Sequence, residues 1–457
     1  MSILSTSPLS PTFEEADFGK GSPTFSTLLA PLEAQLSYLT PLESGSNRPL
    51  EYTFEYQVRG LVYYHIETYT SALDLLQAAE SDDFVNRLVV PETGLGQSTF
   101  YEANATRGSL QMTELLDRLF KKAAKQVDID YVALGDLVAI DGSLIAACLS
   151  MTWADYRASS RKAKMHLGFD LNRGLPRKML LTQGKGAERP FVSFLLEAEE
   201  TGVIDRGYQD HRRFDDWIKE QKHFVARLKK NTQWEVLQHL PFSKGTAIFF
   251  FAKVLLGDQA HQMTHPVYLV GFKSRGKVYF VVTDRDDLTA EEIAFIFSLR
   301  WQIETFFAWW KKHLKVYHLI SRNEHGVLIQ LMAGLITYLL LVLYFHQRYG
   351  EAPSLKRLRN LRWDIRHETQ GSTHLHIYLI IHIDTHNSSR YCSYGSIAMQ
   401  FSNRKLLTPF GKILVSAALV SGATDVGFKR AFRIWGNAHG WIKAYRRVDP
   451  ACVCENP

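Results

Sequence analysis

The sequence predicts an α/β fold that combines a helical N-terminal region, a core of alternating strands and helices, and a strand-rich insertion. The chain of 457 residues is 46% hydrophobic and 12% aromatic, which is typical of a globular protein with a large core. Its hydrophobic periodicity is helical before about residue 130 and strand-like after it. Several of the later apolar runs end in an acidic residue followed by a turn residue, as buried strands do.

Composition and periodicity divide the chain into consecutive segments. The predicted segments are a mobile N-terminal arm (1–50) with one short helix near Ser26–Leu39, a helical domain with a candidate DNA-binding role (51–130), the first part of the core (131–231), a β insertion (232–288), the core helices that carry Glu304 (289–368), and a tail of unknown structure (369–457).

The helical segment begins with a long apolar-periodic run, Tyr52–Ala79. A Gly-containing turn at Pro91–Gly96 and a Ser-capped short helix at Ser98–Ala105 follow it. This succession is compatible with a helix-turn-helix DNA reader and equally with a plain helical bundle.

The core segment predicts a three-stranded meander followed by helix, strand, helix and strand. The predicted strands are Leu137–Ser143, Lys164–Leu171, Arg177–Thr182, Thr201–Tyr208 and His223–Leu228, with helices at Pro190–Glu200 and Asp210–Lys222. This is the element order of an RNase H-like core. The segment 232–288 then adds strands without a catalytic candidate and predicts an insertion before the helix of Glu304.

A helix is predicted to begin at Thr289, where Thr289 and Glu292 form a capping box. On it Arg300, Glu304 and Lys311 are spaced by four and seven residues and share one face. One carboxylate between two cations suits a metal site that handles phosphate. The alternative is a surface salt bridge on an amphipathic helix.

The apolar run 327–345 is nearly long enough to cross a bilayer. Gln330, Gly334 and Thr337 interrupt it, and no second run of this kind occurs in the sequence. We therefore expect a central buried helix and no membrane association.

Asp141 and Asp205 each end a predicted strand, and Glu304 lies on the later helix. Strand-end carboxylates of neighbouring strands can meet at one sheet edge. Carboxylates brought together repel each other unless hard divalent cations neutralise them, and an all-oxygen site favours Mg²⁺. A pair of Mg²⁺ ions, which Mn²⁺ can replace, would support phosphoryl transfer. For each aspartate taken alone, a role as a turn former at the end of a strand is as good an explanation as a role in metal binding.

Charge distribution favours a polyanionic partner. The net charge is only +6, but basic residues cluster at 157–189, 219–230 and 356–366. The four cysteines form neither a disulfide framework nor a metal-binding pair, and the polar N-terminus does not resemble a signal peptide. We expect a cytoplasmic protein associated with the nucleoid.

Several motifs resemble those of bacterial insertion-sequence DDE transposases. Phe297-x2-Arg300-x3-Glu304-x6-Lys311 resembles the Tyr-x2-Arg-x3-Glu-x6-Lys signature of one large group, with Phe297 in the place of Tyr. Ile140–Ser143 resembles the first-aspartate motif, and Asp205–Tyr208 resembles the second. The motifs occur in order over roughly residues 50–366.

The resemblance implies that Asp141, Asp205 and Glu304 are catalytic metal ligands. It implies that Arg300 and Lys311 hold DNA phosphates, and Lys164, His166 and Arg206 are further DNA-contact candidates. The implied reaction is metal-dependent cleavage at the element's ends and strand transfer into target DNA.

The implied partner is double-stranded DNA, both terminal inverted repeats and target, bound by a homodimer on paired ends. Two alternatives stay open: an RNase H-like nuclease without strand transfer, and a decayed copy that only binds DNA.

Overall fold

The computed structural model describes residues 23–42, 49–186, 189–258 and 262–369. These residues form a mixed α/β fold within one compact unit. The helices are α1 (Pro23–Leu36), α2 (Phe54–Glu67), α3 (Ala72–Ser81), α4 (Asp83–Val89), α5 (Gln97–Thr106), α6 (Ser109–Ala124), α7 (Val192–Leu195), α8 (His211–Lys219), α9 (Ala290–Leu299), α10 (Trp301–Leu314), α11 (Glu324–Tyr349) and α12 (Leu355–Thr369). The strands are β1 (Leu137–Ala147), β2 (Asp155–Arg157), β3 (Ser160–Asp170), β4 (Leu175–Gln183), β5 (Thr201–Ile204), β6 (His223–Arg227), β7 (Trp234–His239), β8 (Ile248–Leu256), β9 (Val267–Ser274) and β10 (Lys277–Thr283).

All described strands belong to one mixed sheet in the order β2-β3-β1-β5-β6-β10-β9-β8-β7, with β4 also pairing with β3. β1 is antiparallel to β3 and parallel to β5, and β5 is parallel to β6. β10 pairs with β6 in antiparallel fashion. The strands of the predicted insertion therefore extend the central sheet through β10.

Helix α11 is the central element of the helical layer. It contains the apolar run 327–345, and 89% of its most apolar stretch is buried inside the protein. By length and composition it could cross a membrane, but its side chains pack in the same hydrophobic cluster as α2, α6 and α10. The prediction of a buried central helix is confirmed.

The N-terminal segment predicted as a mobile arm contains α1, which overlaps the short helix expected near Ser26–Leu39. Phe25, Leu28 and Leu32 of α1 are completely buried against the main core. Apolar residues at helical spacing explain why this part of a Ser- and Pro-rich stretch packs on the core. Residues 1–22 and 43–48 lie outside the described residues.

The predicted run Tyr52–Ala79 is two helices, α2 and α3. The break falls at Thr68, whose φ of 57° is left-handed, and Ser71 then caps α3 in a capping box with Asp74. Helices α5 and α6 share the main hydrophobic cluster with α11. Their DNA-reading role and the domain boundaries stay predictions.

Two predicted helices differ in extent from those observed. The helix expected at Pro190–Glu200 is reduced to a 3₁₀ turn and the short α7, and the chain reverses where Glu199 adopts a φ of 66°. The helix that begins at Thr289 has the predicted capping box but is interrupted at Arg300, which separates α9 from α10. The predicted tail lies outside the described residues from position 370 onward.

Candidate active site at the end of the parallel β1–β5 ladder

The sheet register places Asp141 and Asp205 side by side. Ile140 pairs with Ile204 in the parallel β1–β5 ladder, so each aspartate immediately follows a paired residue. The preceding pair, Ala139 and Val203, belongs to the hydrophobic cluster that contains α10. Because side chains alternate along a strand, and Asp205 keeps an extended backbone, both aspartates face the α10 side.

Glu304 lies in the first turn of α10, above the same face of the sheet. Lys311, farther along α10, donates a hydrogen bond of 2.7 Å from Nζ to the carbonyl oxygen of Leu144 on β1. This bond fixes the helix against the strand that carries Asp141. Burial, together with the nearby Lys162, lowers the pKa of Lys311.

Arg300 joins two of the three acids. Its Nη2 lies 2.6 Å from Glu304 Oε1, and its Nη1 lies 3.8 Å from Asp141 Oδ2. The side chain is only 12% exposed, and its Nε is buried without a hydrogen-bond partner. The guanidinium therefore supplies positive charge between Asp141 and Glu304.

Asp205, the third acid, is paired with a second arginine. Arg227, at the end of β6, places Nη1 3.3 Å from Asp205 Oδ1. Beyond it, an open cleft of about 460 Å³ is lined by Asp205, Arg206, Gly207, Lys229, Lys230 and Asn231. Three cations thus border this cleft beside one carboxylate, which makes it attractive to a phosphate backbone.

The predicted DNA contacts divide between the two faces of the sheet. In the β1–β3 register Asp141 pairs with Leu167, so Lys164 and His166 lie on the opposite face from the acids. Lys164 donates through Nζ to the carbonyl oxygen of Gly186 at 3.3 Å. The structure brings neither residue to the acidic site.

His166 is fully buried in this structure, so its side chain presents no surface to DNA, and the contact stays a prediction. The ring packs 4.6 Å from the ring of Phe191, and Nε2 lies 3.0 Å from Thr182 Oγ1. Burial lowers the pKa of His166 to about 4, so it is a neutral core residue at neutral pH.

The three acids meet part of what a divalent metal ion requires. Asp141 and Asp205 offer neighbouring carboxylate oxygens of the type that Mg²⁺ prefers. Glu304 is ion-paired with Arg300 through Oε1. Among the described residues, no three acidic, histidine or cysteine side chains are grouped closely enough to hold a metal ion. The donor chemistry fits, whereas the present arrangement is that of an ion-paired site.

Sequence reasoning did not single out Arg227, Lys229, Lys230 or Asn231 as site residues. The available signal was the basic cluster at 219–230, placed at the end of a strand that is parallel to the strand of Asp205. Ligands of open α/β sheets bind at the carboxyl ends of such strands.

An α/β domain in which two acids directly follow the paired residues of adjacent parallel strands, bordered by cations, is a candidate phosphoryl-transfer domain. Residues 133–340 match the family model described as a transposase DDE domain. The matched region contains Asp141, Asp205 and Glu304.

Curated relatives point in the same direction. A protein of Synechocystis sp. named as a transposase for insertion sequence element IS4SA is 27% identical over 269 residues, which is 58% of this chain and 76% of the relative. A protein of Geobacillus stearothermophilus named as a transposase for IS5377 is 29% identical over 194 residues, covering 42% of this chain and 52% of the relative. A protein of Sinorhizobium fredii named as a transposase is 26% identical over 253 residues, which is 54% of this chain and 70% of the relative. The family match and these relatives support the function of a DNA transposase.

Proposed function

We propose that this chain is a metal-dependent DNA transposase that cleaves DNA at the ends of its element and joins the freed strand to target DNA. The observation that carries the proposal is that Asp141 and Asp205 directly follow the last paired residues of the parallel β1–β5 ladder, with Glu304 linked to Asp141 through Arg300. The strand order β4-β3-β1-β5-β6, antiparallel for the first three and parallel thereafter, supports an RNase H-like core.

Asp141, Asp205 and Glu304 would hold a pair of Mg²⁺ or Mn²⁺ ions. When bound, such ions activate a water or a 3′-hydroxyl and stabilise the leaving oxygen in an in-line displacement at phosphorus. The carboxylates supply the negative charge that selects these ions over monovalent cations.

The cations of the site bind the DNA strand. Arg206, Lys229 and Lys230 line the cleft beside Asp205 and attract backbone phosphates without regard to base sequence. Arg300 lies within reach of two carboxylates and has an unpaired donor. It can exchange Glu304 for a phosphate oxygen, since a guanidinium binds carboxylate and phosphate with similar geometry. Lys311 is a further candidate for a phosphate contact once its bond to Leu144 opens.

The proposed substrates are the terminal inverted repeats of the element and a target duplex. We propose that two copies of the chain act on paired ends in the cytoplasm, at the nucleoid. The basic clusters and the relatives' names support a DNA partner.

The proposal is tested with labelled duplexes that carry the DNA flanking the gene. In Mg²⁺ or Mn²⁺ the wild-type chain should nick these ends and join them to a supercoiled plasmid. Asp141→Asn, Asp205→Asn and Glu304→Gln should each lower nicking by roughly 10³-fold or more while DNA binding persists. Glu324→Gln, at the exposed start of α11, is the matched control and should nick normally.

Two observations separate the alternatives. Phe297, which stands in the place of the signature tyrosine, favours a copy that binds DNA without cutting it, and a wild-type chain that shifts DNA but never nicks it would establish that alternative. Nicking without any joined product would instead indicate a nuclease that lacks strand transfer.

A further inference from the structure

We propose that Tyr279 supplies at this site the phenol hydroxyl that Phe297 lacks, by donating a hydrogen bond to a phosphate oxygen of the bound DNA strand. The inference rests on the proposed DNA-cleaving function. It assigns a substrate contact to a residue on β10, far along the chain from the aspartates and outside the signature that surrounds Glu304.

Strand register places Tyr279 on the face of the acids. Val281 pairs with Arg227 across the antiparallel β6–β10 ladder, and Val281 belongs to the hydrophobic cluster that contains α9 and α10. Tyr279 lies two residues before Val281 and therefore points to the same face. Asp205 faces this side as well, because Val203 belongs to the same cluster.

Tyr279 also connects the two arginines of the site. The Arg227 guanidinium carbon lies 4.8 Å from the centre of the Tyr279 ring, and Arg227 reaches Asp205 at 3.3 Å. The Tyr279 ring also lies 6.1 Å from the ring of Phe297, and the Arg300 guanidinium carbon lies 5.8 Å from the centre of the Phe297 ring. The aromatic pair thus spans the distance between the arginine of Asp205 and the arginine of Glu304.

The ring is held in place by its neighbours. Phe272, its direct partner in the β9–β10 ladder, stacks on it with a centroid distance of 5.4 Å and an interplanar angle of 14°. Tyr279 is half-buried, whereas Phe297 is buried and carries no polar atom on its ring. An oriented tyrosine loses little conformational entropy when it donates a hydrogen bond, and a bond to a charged phosphate is among the stronger ones.

Phe297 and Tyr279 are adjacent aromatic positions, one without and one with a hydroxyl. A phenol at either position would lie in the same aromatic pair, between the same two cations. Moving the hydroxyl from one ring to the other should therefore preserve function, whereas removing it from both should not.

The test uses the full chain and four variants: Tyr279→Phe, Phe297→Tyr, the double variant, and Tyr268→Phe. Tyr268 lies on the neighbouring β9 and also has a lysine near its ring, so it is the matched control for loss of a hydroxyl. Affinity for a fluorescein-labelled duplex with one nick is measured by anisotropy in EDTA, and nicking is measured separately in Mg²⁺. Thermal unfolding verifies that each variant is folded.

Tyr279→Phe should weaken binding of the nicked duplex by about 10-fold, the effect of one hydrogen bond to a charged group. The double variant should recover the wild-type affinity, while Phe297→Tyr alone and Tyr268→Phe should change it little. Nicking should follow the same order.

Wild-type affinity in Tyr279→Phe would overturn the inference, and so would a double variant that binds as weakly as Tyr279→Phe. A wild-type chain that binds the duplex but never nicks it would remove the proposed activity. The affinity series, measured without metal, would still decide the role of Tyr279.

Discussion

Arg300 and Glu304 form a close ion pair, with Nη2 and Oε1 2.6 Å apart, and the same guanidinium lies 3.8 Å from Asp141. An arginine thus provides the positive charge that two carboxylates of the site require. The pair also marks the junction of α9 and α10, where Arg300 donates its backbone N–H to Phe297 instead of continuing the α-helical pattern. Arg300 therefore both neutralises acids of the site and separates α9 from α10.

Replacing Arg300 by Met should make the stability of the protein depend on divalent ions. Without the guanidinium, Asp141 and Glu304 repel each other and the melting temperature falls. Mg²⁺ should then raise the melting temperature of Arg300→Met more than that of the wild type, because the ion takes over the neutralising role. Thermal unfolding with and without Mg²⁺ measures this, and Arg322→Met, at an exposed position, is the control. Equal Mg²⁺ shifts in all three proteins would contradict the assigned role.

Lys311 should contribute to stability through its bond to β1. Lys311→Met removes the donor that lies 2.7 Å from the Leu144 carbonyl oxygen, and loss of such a bond costs about 1–3 kcal/mol. Lys312→Met changes the exposed neighbouring lysine and should alter the unfolding free energy by less than about 0.5 kcal/mol. Urea unfolding at neutral pH compares the two. If both variants unfold alike, Lys311 does not fasten α10 to the strand of Asp141.

Local sequence signals predicted the parts of the site that depend on local structure. The start of β1, the end of β5 before Asp205, and the capping box of Thr289 with Glu292 follow from short patterns of residues. The end predicted for the first strand near Asp141 is wrong, because β1 continues to Ala147 in its ladder with β3. The mixed α/β class and the buried α11 follow from composition and periodicity. These features require no knowledge of which strands pair.

Features that depend on pairing could not be predicted in the same way. Arg227 and Tyr279 are in contact only because β10 pairs with β6, although most of the predicted insertion separates these strands in the sequence. The prediction for His166 did not take the alternation of side chains along a strand into account. Its neighbours Met165 and Leu167 belong to the hydrophobic cluster on the face of the acids. A side chain between them must point to the opposite face. The sequence shows that alternate side chains of this strand lie on opposite faces. Which of the two faces also carries the acids follows only from the register of β1 and β3.

His65 should make the protein less stable as the pH falls below neutrality. Its ring nitrogens lie 2.9 Å from the Leu314 carbonyl oxygen and 3.2 Å from that of Gln330, and burial lowers its pKa to about 4 from an ordinary value of 6.5. Between pH 6.5 and about pH 4, His65 is protonated in the unfolded chain but neutral in the folded protein. The free energy of unfolding therefore decreases as the pH falls through this range.

The measurement is urea unfolding between pH 7 and pH 5. His65→Gln should be less stable at neutral pH but should lose about 1–2 kcal/mol less than the wild type over this range. His239→Gln, an exposed position on β7, should leave the slope unchanged. A wild-type slope in His65→Gln would show that another group accounts for the acid sensitivity.

Gly334→Ala should destabilise the protein and impair DNA nicking, although alanine favours helices. A Cβ at Gly334 in α11 would lie 2.7 Å from Val316 Cγ1 and 3.1 Å from Trp310 Cζ2, and both side chains are fully buried. Overpacking of about 1–3 kcal/mol should exceed the gain of about 1 kcal/mol in helix propensity. Trp310 lies on α10, so relief of the clash would displace the helix that carries Glu304. Gly60→Ala in α2 is the matched control, because a Cβ at Gly60 would have no neighbour closer than 3.6 Å. This control variant should be at least as stable as the wild type. Thermal unfolding and nicking rates are compared for both variants, and a Gly334→Ala protein that matches Gly60→Ala in both would refute the tight packing of α11 beneath the site.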